Sequence, residues 1–410
     1  MRILFVLQEF PYPVSNGIRW KPFGLLKALS SEHECHVLSF ADTSSESAVE
    51  DFRKECPKVK VLGIYRPRGG SLLTKLRGLF AVGLPSAGPY STDRFRNAIR
   101  LALTASKYDV VHIDMINLVQ YANSATNCSV LLSVNDAISL GYLNTARHSS
   151  SPLVWARLRL AAKIISRYER RAYRGRVVHV VSPADRNYLK QLCPSAQVEV
   201  VPLTVDSSYL RDNCYTGGEG PKIVTVPAKF VLPGAAKATL RFLREAQELL
   251  REKRSSVELR VIGPGASLAF RQSLTGLTNV KYLGWVEDYS KALALSDVIV
   301  FPETGGAGTK NRHLQAMALS KPVIMTQEAI DGLGVVPGKH CLVGQTPEQL
   351  VECLAFVLDD YPRAAAIGRM GRAFVEEHHN VHTVAREWGT LYESLRARSP
   401  LSALSIRTTH

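Results

Sequence analysis

The amino-acid sequence predicts an α/β protein with two doubly wound, Rossmann-like domains that face each other across a cleft. Three observations lead to this prediction. The chain has 410 residues, which is more than one hydrophobic core usually organises. Short apolar runs alternate with helical patterns along the chain, as in βαβ units that build a parallel sheet. A segment rich in turn residues, 203–220, separates the two halves.

The apolar runs predict nine strands, because each run is four or five residues long and is bounded by turn signals. They are Ile3–Leu7, His36–Phe40, Val110–Ile113, Val130–Val134, Val177–Val181, Ile223–Val226, Leu259–Ile262, Val298–Phe301 and Pro322–Met325. Apolar residues at helical spacing predict helices at Leu240–Leu250 and Pro347–Leu358. We therefore expect an N-terminal domain at 1–205 and a C-terminal domain at 206–380.

The composition is that of a globular protein, with 46% apolar and 21% charged residues. No apolar run approaches the ~20 residues of a membrane-spanning helix, and the first residues lack a signal-peptide pattern, so we expect a cytoplasmic protein. The seven cysteines are scattered, and none is paired at CxxC spacing. This spacing argues against a metal cluster and against a disulfide framework.

The net charge of +15 is concentrated in the first half, where residues 1–205 carry 27 Lys and Arg against 15 Asp and Glu. A basic face attracts nucleic acid, anionic lipid or a phosphorylated substrate, and charge alone does not discriminate among them. Residues 157–176 hold eight basic residues and one acid, Glu169. This segment predicts a basic amphipathic helix that either rests on an anionic membrane or packs its apolar side on the core.

The first candidate site is the loop 11–19, which follows the first strand and precedes a helix expected near Lys21. It contains Gly17 and Arg19. A glycine where a strand turns into a helix lets backbone amides approach a phosphate, and Arg19 adds positive charge. An ordinary turn is the alternative, because proline and glycine are common turn residues.

The second candidate site is the end of the strand that contains His112 and Asp114. These residues are two apart, so their side chains point to the same face, and Asp114 reaches the carboxyl end where ligands of such sheets bind. An imidazole or a carboxylate there can orient an acceptor hydroxyl or take its proton. A hydrogen-bonded core residue is the alternative for His112.

The third candidate site is the glycine-rich segment 301–318, in which a strand ends and an apolar helix begins near Lys310. Its glycines, Gly306 and Gly308 among them, leave amides free at the positive end of the helix, which suits a diphosphate. Lys310 and Arg312 can supply counter-charge. The alternative is a loop that only caps the helix.

Segment 306–318, followed by Lys321-Pro322-Val323-Ile324, closely resembles the donor-binding region of the retaining glycosyltransferases of family 4, which have the two-domain B-type fold. It is most similar to bacterial members of the exopolysaccharide type. The resemblance extends over almost the whole chain, from the glycine-loop opening at 2–29 to the stretch 386–395. In this fold the final helix, here about 381–397, crosses back onto the first domain.

The resemblance implies a role for several residues. Lys229 lies where a basic residue contacts the donor phosphates and assists catalysis, and Gln315 takes the place of the glutamate that binds the ribose hydroxyls. Gly17 is implied near the sugar and diphosphate, and Asp114 on the acceptor side. The implied phosphate loop contains Gly306, Gly308 and Thr309. The chain departs from the family pattern at the two usual glutamates, which are Ala307 and Gln315, at the glycine replaced by Ala228, and at the asparagine-glycine replaced by Leu203-Thr204.

The resemblance implies a retaining glycosyltransferase that moves a sugar, of hexosyl type, from a nucleotide-sugar to a glycan, lipid-linked or small-molecule acceptor. The expected process is cell-surface polysaccharide biosynthesis, and the expected location is cytoplasmic or peripheral on the inner face of the membrane. We expect no cofactor and no obligatory metal, because no Asp-x-Asp stands at a strand end and helix dipoles can replace the ion.

Three alternatives stay open. A non-catalytic homologue that supports a partner enzyme is suggested by the missing glutamate at 315. A nucleotide-sugar epimerase would need no acceptor. A nucleic-acid-binding module is suggested only by charge, and without a helix-turn-helix, zinc or RNA-binding signature we expect no nucleic acid as partner.

Overall fold

The computed structural model describes residues 1–14, 17–41, 46–125, 128–149, 151–205, 207–210, 222–230, 234–302 and 311–398. The chain divides into two compact units. The first unit holds residues 1–139, 161–204 and those from 381 on, and the second holds 140–160 and 205–380. The domain bounds expected from the sequence, 1–205 and 206–380, thus differ for the segment 140–160, which groups with the second unit.

The first unit is built on a seven-stranded parallel sheet in the order β3-β2-β1-β4-β5-β6-β7. Its strands are β1 (Arg2–Leu7), β2 (Glu34–Phe40), β3 (Lys60–Tyr65), β4 (Val110–Asp114), β5 (Ser129–Asn135), β6 (Val177–Val180) and β7 (Gln197–Val200). The helices in this part of the chain are α1 (Gly17–Leu29), α2 (Glu46–Glu55), α3 (Leu72–Ala81), α4 (Asp93–Ala105), α5 (Ile138–Arg147), α6 (Pro152–Ala172) and α7 (Pro183–Leu192). Two 3-10 helices lie at Pro85–Tyr90 and Ile116–Ser124.

The second unit is built on a six-stranded parallel sheet in the order β10-β9-β8-β11-β12-β13. Its strands are β8 (Ile223–Pro227), β9 (Glu258–Ile262), β10 (Val280–Gly284), β11 (Val298–Phe301), β12 (Val323–Thr326) and β13 (Leu342–Gly344). Its helices are α8 (Ala235–Glu252), α9 (Leu268–Ser273), α10 (Tyr289–Ala294), α11 (Asn311–Ala318), α12 (Gln327–Ile330), α13 (Pro347–Asp359) and α14 (Tyr361–His378), with a 3-10 helix at Ser207–Leu210.

The last helix, α15 (Val381–Ala397), belongs to the first unit. Its residues Trp388 and Tyr392 are buried in the same core cluster as Phe5 and Leu7 of β1. Helices cover both faces of the central strands, so the side chains on both faces are buried and the strands read as continuous apolar runs. All nine predicted strands are present, and the strands that the sequence did not predict are β3, β7, β10 and β13.

Helix α6, which begins at Pro152 and ends at Ala172, covers residues 157–172 of the basic amphipathic segment predicted at 157–176. Ala162, Ile165 and Tyr168 of its second half are buried, whereas Arg159, Arg167 and the other arginines of the helix are exposed. The second half of α6 thus packs its apolar side on the core, as one of the two alternatives predicts, whereas Leu153, Trp155 and Leu160 of the first half are exposed. Among the helices of the described residues, none is long and apolar enough to cross a membrane.

Candidate functional site

The predicted residue Asp114 lies where the strand order of the first sheet reverses. The reversal is between β1 and β4, where Val6 pairs with Ile113, and doubly wound sheets bind ligands in the crevice beyond such a point. Asp114 is the last residue of β4 and stands at this crevice. Just beyond it, Asn117 Nδ2 donates to Gln8 Oε1 at 2.9 Å and links the ends of the two strands.

Lys21 of α1 and Asp114 form a buried ion pair at this crevice, with side chains 7% and 1% exposed. Lys21 Nζ lies 2.5 Å from Asp114 Oδ1, and it donates to Ser133 Oγ at 2.7 Å and to Asn135 Oδ1 at 2.5 Å. Lys21 therefore favours the ionised Asp114 carboxylate both through its charge and through a close side-chain contact. Burial raises the pKa of Asp114, and the charge of Lys21 opposes that rise.

His179 extends this network into the core. Its Nε2 lies 2.9 Å from the Val201 carbonyl oxygen, which can only accept, so Nε2 carries the proton and Nδ1 accepts from Ser133 Oγ at 2.9 Å. Ser133 thus accepts from Lys21 and donates to His179. Burial, with a smaller contribution from the charge of Lys21, lowers the pKa of His179 to about 3. The imidazole is therefore neutral, and it orients the Ser133 hydroxyl that accepts a hydrogen bond from Lys21.

His112 lies inside the core, with 1% of its surface exposed. Its Nδ1 is 2.7 Å from Tyr392 Oη, and its ring packs 4.9 Å from the Phe5 ring and 5.5 Å from the Trp388 ring. Burial lowers the pKa of His112 well below its ordinary value. A chemical role for His112 therefore stays a prediction, and its described position is that of a core residue that anchors α15.

The glycine loop of the first unit ends in α1, which begins at Gly17 rather than near Lys21. The helix starts earlier than expected, so Gly17 and Arg19 both belong to its first turn. Arg19 Nε donates to Glu9 Oε2 at 3.0 Å, and its terminal nitrogen donates to the Pro13 carbonyl at 3.3 Å. Arg19 therefore braces the loop that follows β1. A contact of Gly17 or Arg19 with the donor stays a prediction.

In the second unit, Lys229 lies where the order of the second sheet reverses. The reversal is between β8 and β11, where Val298 pairs with Val224. Lys229 comes two residues after β8 ends, and it is exposed. It therefore stands at the edge where a doubly wound sheet binds its ligand.

Gly263, at the end of β9, allows the strand ends to approach each other closely. A Cβ atom at this position would lie 2.0 Å from the Ala228 carbonyl oxygen, and φ is +141°. Gly265 also has a positive φ, +84°, but a Cβ there would meet no atom within 4 Å. The backbone next to Lys229 thus depends on the missing side chain of Gly263.

We expect Gly263→Ala to lower the free energy of unfolding by about 2 kcal/mol more than Gly265→Ala, because only the first adds overpacking to the strain of a positive φ. Chemical denaturation of the two purified variants measures this difference. Equal losses of stability in the two variants would contradict the prediction, because they would mean that the backbone after β8 shifts to accommodate the new methyl group without a free-energy cost.

Helix α11 follows β11 and carries two of the predicted donor-binding residues, Arg312 and Gln315. The Arg312 guanidinium lies over the Phe301 ring, 5.5 Å from its centroid. Burial lowers the pKa of Arg312 and raises that of Tyr289, and each group partly opposes the shift of the other. Gln315 is half-buried one turn further along. The predicted residues Gly306, Gly308, Thr309 and Lys310 lie outside the described residues.

Sequence reasoning missed Lys21, Ser133, Asn135 and His179 as members of the network around Asp114. One signal was available, because Ser133 and Asn135 are two apart at a strand end, as His112 and Asp114 are. Among the described residues, no group of three or more His, Cys, Asp or Glu side chains could hold a metal ion.

Comparisons with known proteins identify related sequences and structures. The family model "Glycosyl transferases group 1" matches residues 221–360. A GDP-mannose-dependent monoacylated alpha-(1-6)-phosphatidylinositol monomannoside mannosyltransferase of Corynebacterium glutamicum is 34% identical over 134 residues. The match covers 30% of this chain and 35% of that protein, so the chain matches about a third of the length of this curated relative.

Solved structures share the fold over nearly the whole chain. Sucrose-phosphate synthase of Thermosynechococcus elongatus has a TM-score of 0.67 at 17% identity, covering 97% of this chain and 100% of that one. Anabaena Alr3699/HepE in complex with UDP and glucose has a TM-score of 0.62 at 16% identity, covering 96% and 100%. WaaG, a glycosyltransferase involved in lipopolysaccharide biosynthesis, has a TM-score of 0.61 at 12% identity, covering 96% and 99%. Residues 221–360 therefore match the family model of the group 1 glycosyl transferases, and the chain has the two-sheet fold of the B-type glycosyltransferases.

Proposed function

We propose that the protein is a retaining glycosyltransferase that transfers a hexosyl group from a nucleotide-sugar to an acceptor hydroxyl. The observation that carries this proposal is the position of Lys229, Arg312 and Gln315. All three lie in the segment that matches the group 1 family, on elements that follow β8 and β11 where the strand order reverses. The acceptor is a glycan, a lipid-linked glycan or a small molecule, in cell-surface polysaccharide biosynthesis.

In this proposal the donor diphosphate lies at the carboxyl ends of β8 and β11. Lys229 and Arg312 balance its charge, and the N-terminal end of α11 adds a partial positive charge. Gln315, on the same helix, hydrogen-bonds the ribose hydroxyls through its amide. These protein cations take the place of a divalent metal, so we propose that binding and transfer need neither metal nor cofactor.

The reaction follows from the same arrangement. The bond between the anomeric carbon and the phosphate oxygen breaks while the acceptor oxygen bonds to that carbon on the same face. The acceptor proton passes to the leaving phosphate oxygen, so no covalent bond to the enzyme is needed. Preorganised positive charge stabilises the developing anion and is the main catalytic term. On the acceptor side, the buried pair of Lys21 and Asp114 is proposed to shape the carboxyl end of β4, where the hydroxyl is oriented.

The donor site is tested by thermal unfolding against a panel of nucleoside diphosphates and nucleotide-sugars. We expect one base to stabilise the protein by about 2.7 kcal/mol at about one hundred times its dissociation constant. The shift is expected to be the same with magnesium and with EDTA. Lys229→Ala should abolish it, whereas Lys339→Ala, which removes another exposed lysine of the second unit, should not. No shift with any nucleotide at millimolar concentration would contradict the proposal.

A second candidate, a non-catalytic homologue that supports a partner enzyme, is favoured by Gln315 and Ala307 in place of the two family glutamates. An amide lacks the charge that makes a carboxylate the stronger acceptor for ribose hydroxyls. Release of nucleoside diphosphate with candidate acceptors separates the two proposals. Turnover by the wild-type chain supports the enzyme, and nucleotide binding without turnover supports the homologue.

A further inference from the structure

Helix α3 of the first unit presents an apolar face to solvent. Four large apolar side chains of this ten-residue helix are exposed, and they recur at helical spacing on one side. Their exposed fractions are 74% for Leu72, 78% for Leu73, 40% for Leu76 and 83% for Phe80. Single exposed apolar residues are common on protein surfaces, but a contiguous apolar patch marks an interaction site.

The helix is fixed in this orientation by its opposite face. Gly78 of α3 packs against the 3-10 helix Pro85–Tyr90, and a Cβ atom on Gly88 would lie 1.9 Å from the Thr74 carbonyl oxygen. Ser71 caps the helix by accepting from the Thr74 amide at 3.3 Å. The close backbone contact leaves no room for α3 to rotate, so its apolar face stays exposed.

The chain segment that contains α3 is strongly basic. Between Glu55 and Asp93 the chain contains six basic residues and no acidic one. The basic residues are Lys58, Lys60, Arg66, Arg68, Lys75 and Arg77. Lys75 and Arg77 lie on α3 itself, next to the exposed leucines. An apolar patch with such flanks complements a surface that is both apolar and anionic.

A cavity of about 360 Å³ adjoins the C-terminal end of α3 and is lined by Ala81, Val82 and three arginines. Arg96 lies over the Tyr121 ring at 5.5 Å, Arg171 donates to the Val82 carbonyl, and Arg176 donates to Asn123 Oδ1. No acidic residue is part of the lining. Among the described residues, none of the three guanidinium groups forms an ion pair.

The missing counter-charge is informative for Arg96 and Arg176, which are half-buried, because charges removed from water in proteins are normally paired; Arg171 is exposed. Arg176 is half-buried, and burial lowers its pKa. Guanidinium groups bind phosphate oxygens through two parallel hydrogen bonds. Three such groups around one cavity without a carboxylate therefore suit a phosphate group.

We propose that α3 and this arginine cavity form a docking surface for an anionic lipid bilayer. Leu72, Leu73 and Phe80 enter the boundary between head groups and acyl chains, and the arginines bind the phosphates of the head groups. Arg176 directly precedes β6, so the cavity lies at the amino end of that strand, whereas Asp114 lies at the carboxyl end of β4. The surface is thus separate from the candidate active site, and its function does not depend on sugar transfer.

The test is co-sedimentation of the full chain with vesicles of phosphatidylglycerol and phosphatidylcholine, compared with vesicles of phosphatidylcholine alone. We expect binding to the anionic vesicles that weakens as salt increases. Leu73→Glu/Phe80→Glu should weaken it at least tenfold. The matched control is Leu268→Glu/Trp285→Glu, which changes two side chains of the second unit that are 65% and 69% exposed and should leave binding unchanged.

The arginines are tested separately. Arg96→Gln/Arg171→Gln should weaken binding about fivefold for each arginine removed. This factor corresponds to about 1 kcal/mol for each basic residue at an anionic surface. Arg244→Gln/Lys339→Gln removes the same charge from exposed positions of the second unit and should have little effect. A thermal unfolding curve for each variant confirms that it folds.

Four outcomes would overturn the proposal. The wild-type chain fails to bind anionic vesicles even at low salt, or Leu73→Glu/Phe80→Glu binds them as well as wild type. In the third outcome, the wild type is a dimer that does not bind vesicles, and Leu73→Glu/Phe80→Glu is a monomer. The apolar face of α3 would then be a contact between two copies of the chain. In the fourth outcome, vesicles do not bind, and inorganic phosphate stabilises the wild type but not Arg96→Gln/Arg171→Gln. The cavity would then bind a soluble phosphate.

Discussion

Replacing Lys21 by methionine is expected to lower the free energy of unfolding by about 3–5 kcal/mol, because the change leaves the Asp114 carboxylate buried without its cation. The side chain of methionine fills similar space, so the loss reports charge rather than volume. Trp388 is buried 4.4 Å from the His179 ring, and its fluorescence follows unfolding of this unit during chemical denaturation.

The double variant Lys21→Met/Asp114→Asn is the control for this experiment. It removes both charges, so its loss should be clearly smaller than the sum of the two single losses. The pH dependence has a definite sign as well. Without Lys21, the folded-state pKa of Asp114 rises further, so the Lys21→Met variant is least impaired below about pH 4 and loses stability as pH rises. A loss below 1 kcal/mol at pH 7 would contradict the prediction, because it would mean that another group stabilises the buried Asp114 charge.

Glu169 should make the first unit less stable as pH rises from about 4.5 to 7. This carboxyl is fully buried in α6, and burial, with a contribution from Asp185, raises its pKa to about 7. The Ser139 hydroxyl and amide donate to it and partly oppose the rise. A raised carboxyl pKa means that the folded state holds the proton, so the stabilisation is complete below about pH 4.5 and is lost through pH 7. The expected loss is roughly 3 kcal/mol.

The variant Glu169→Gln isolates this effect, because an amide keeps the shape of the protonated carboxyl and does not ionise. Its stability should exceed that of the wild type at pH 8 and approach it at pH 5, as measured by chemical denaturation at both values. The buried histidines titrate equally in both proteins and cancel in the comparison. Glu252→Gln changes an exposed glutamate and should follow the wild type at both pH values. A constant difference between Glu169→Gln and wild type across this range would contradict the assigned pKa.

The strands show most clearly what the sequence could predict. All nine strands predicted from apolar runs exist, with bounds that shift by two residues at most. The four that were missed, β3, β7, β10 and β13, are the two edge strands of each sheet. An edge strand has a neighbour on one side only and is less covered by helices, so it needs no continuous apolar run. In β10, for example, half-buried and exposed residues alternate from Val280 to Gly284.

The candidate site was predicted in part. Sequence position alone brings Asp114 and Lys229 to the carboxyl ends of strands, because the end of a predicted strand can be read directly. Whether a strand borders the point where the order reverses depends on which strands pair, and the pairing of β1 with β4 spans more than one hundred residues. The sequence therefore identified Asp114 and Lys229 as residues at strand ends. It could not show that each of these strands borders the point where the strand order of its sheet reverses.

By itself, the sequence determined the α/β class, the two parallel sheets and the segment that matches the group 1 family, because these depend on local apolar patterns and on short motifs. Only the tertiary structure decided which charges face each other. Lys21 and Asp114 are 93 positions apart, and their pairing, like the burial of Glu169 and the isolation of the three cavity arginines, results from packing between distant elements. The pKa of a group depends on that packing, since burial and neighbouring charge, rather than residue type, set the free energy of its ionised form.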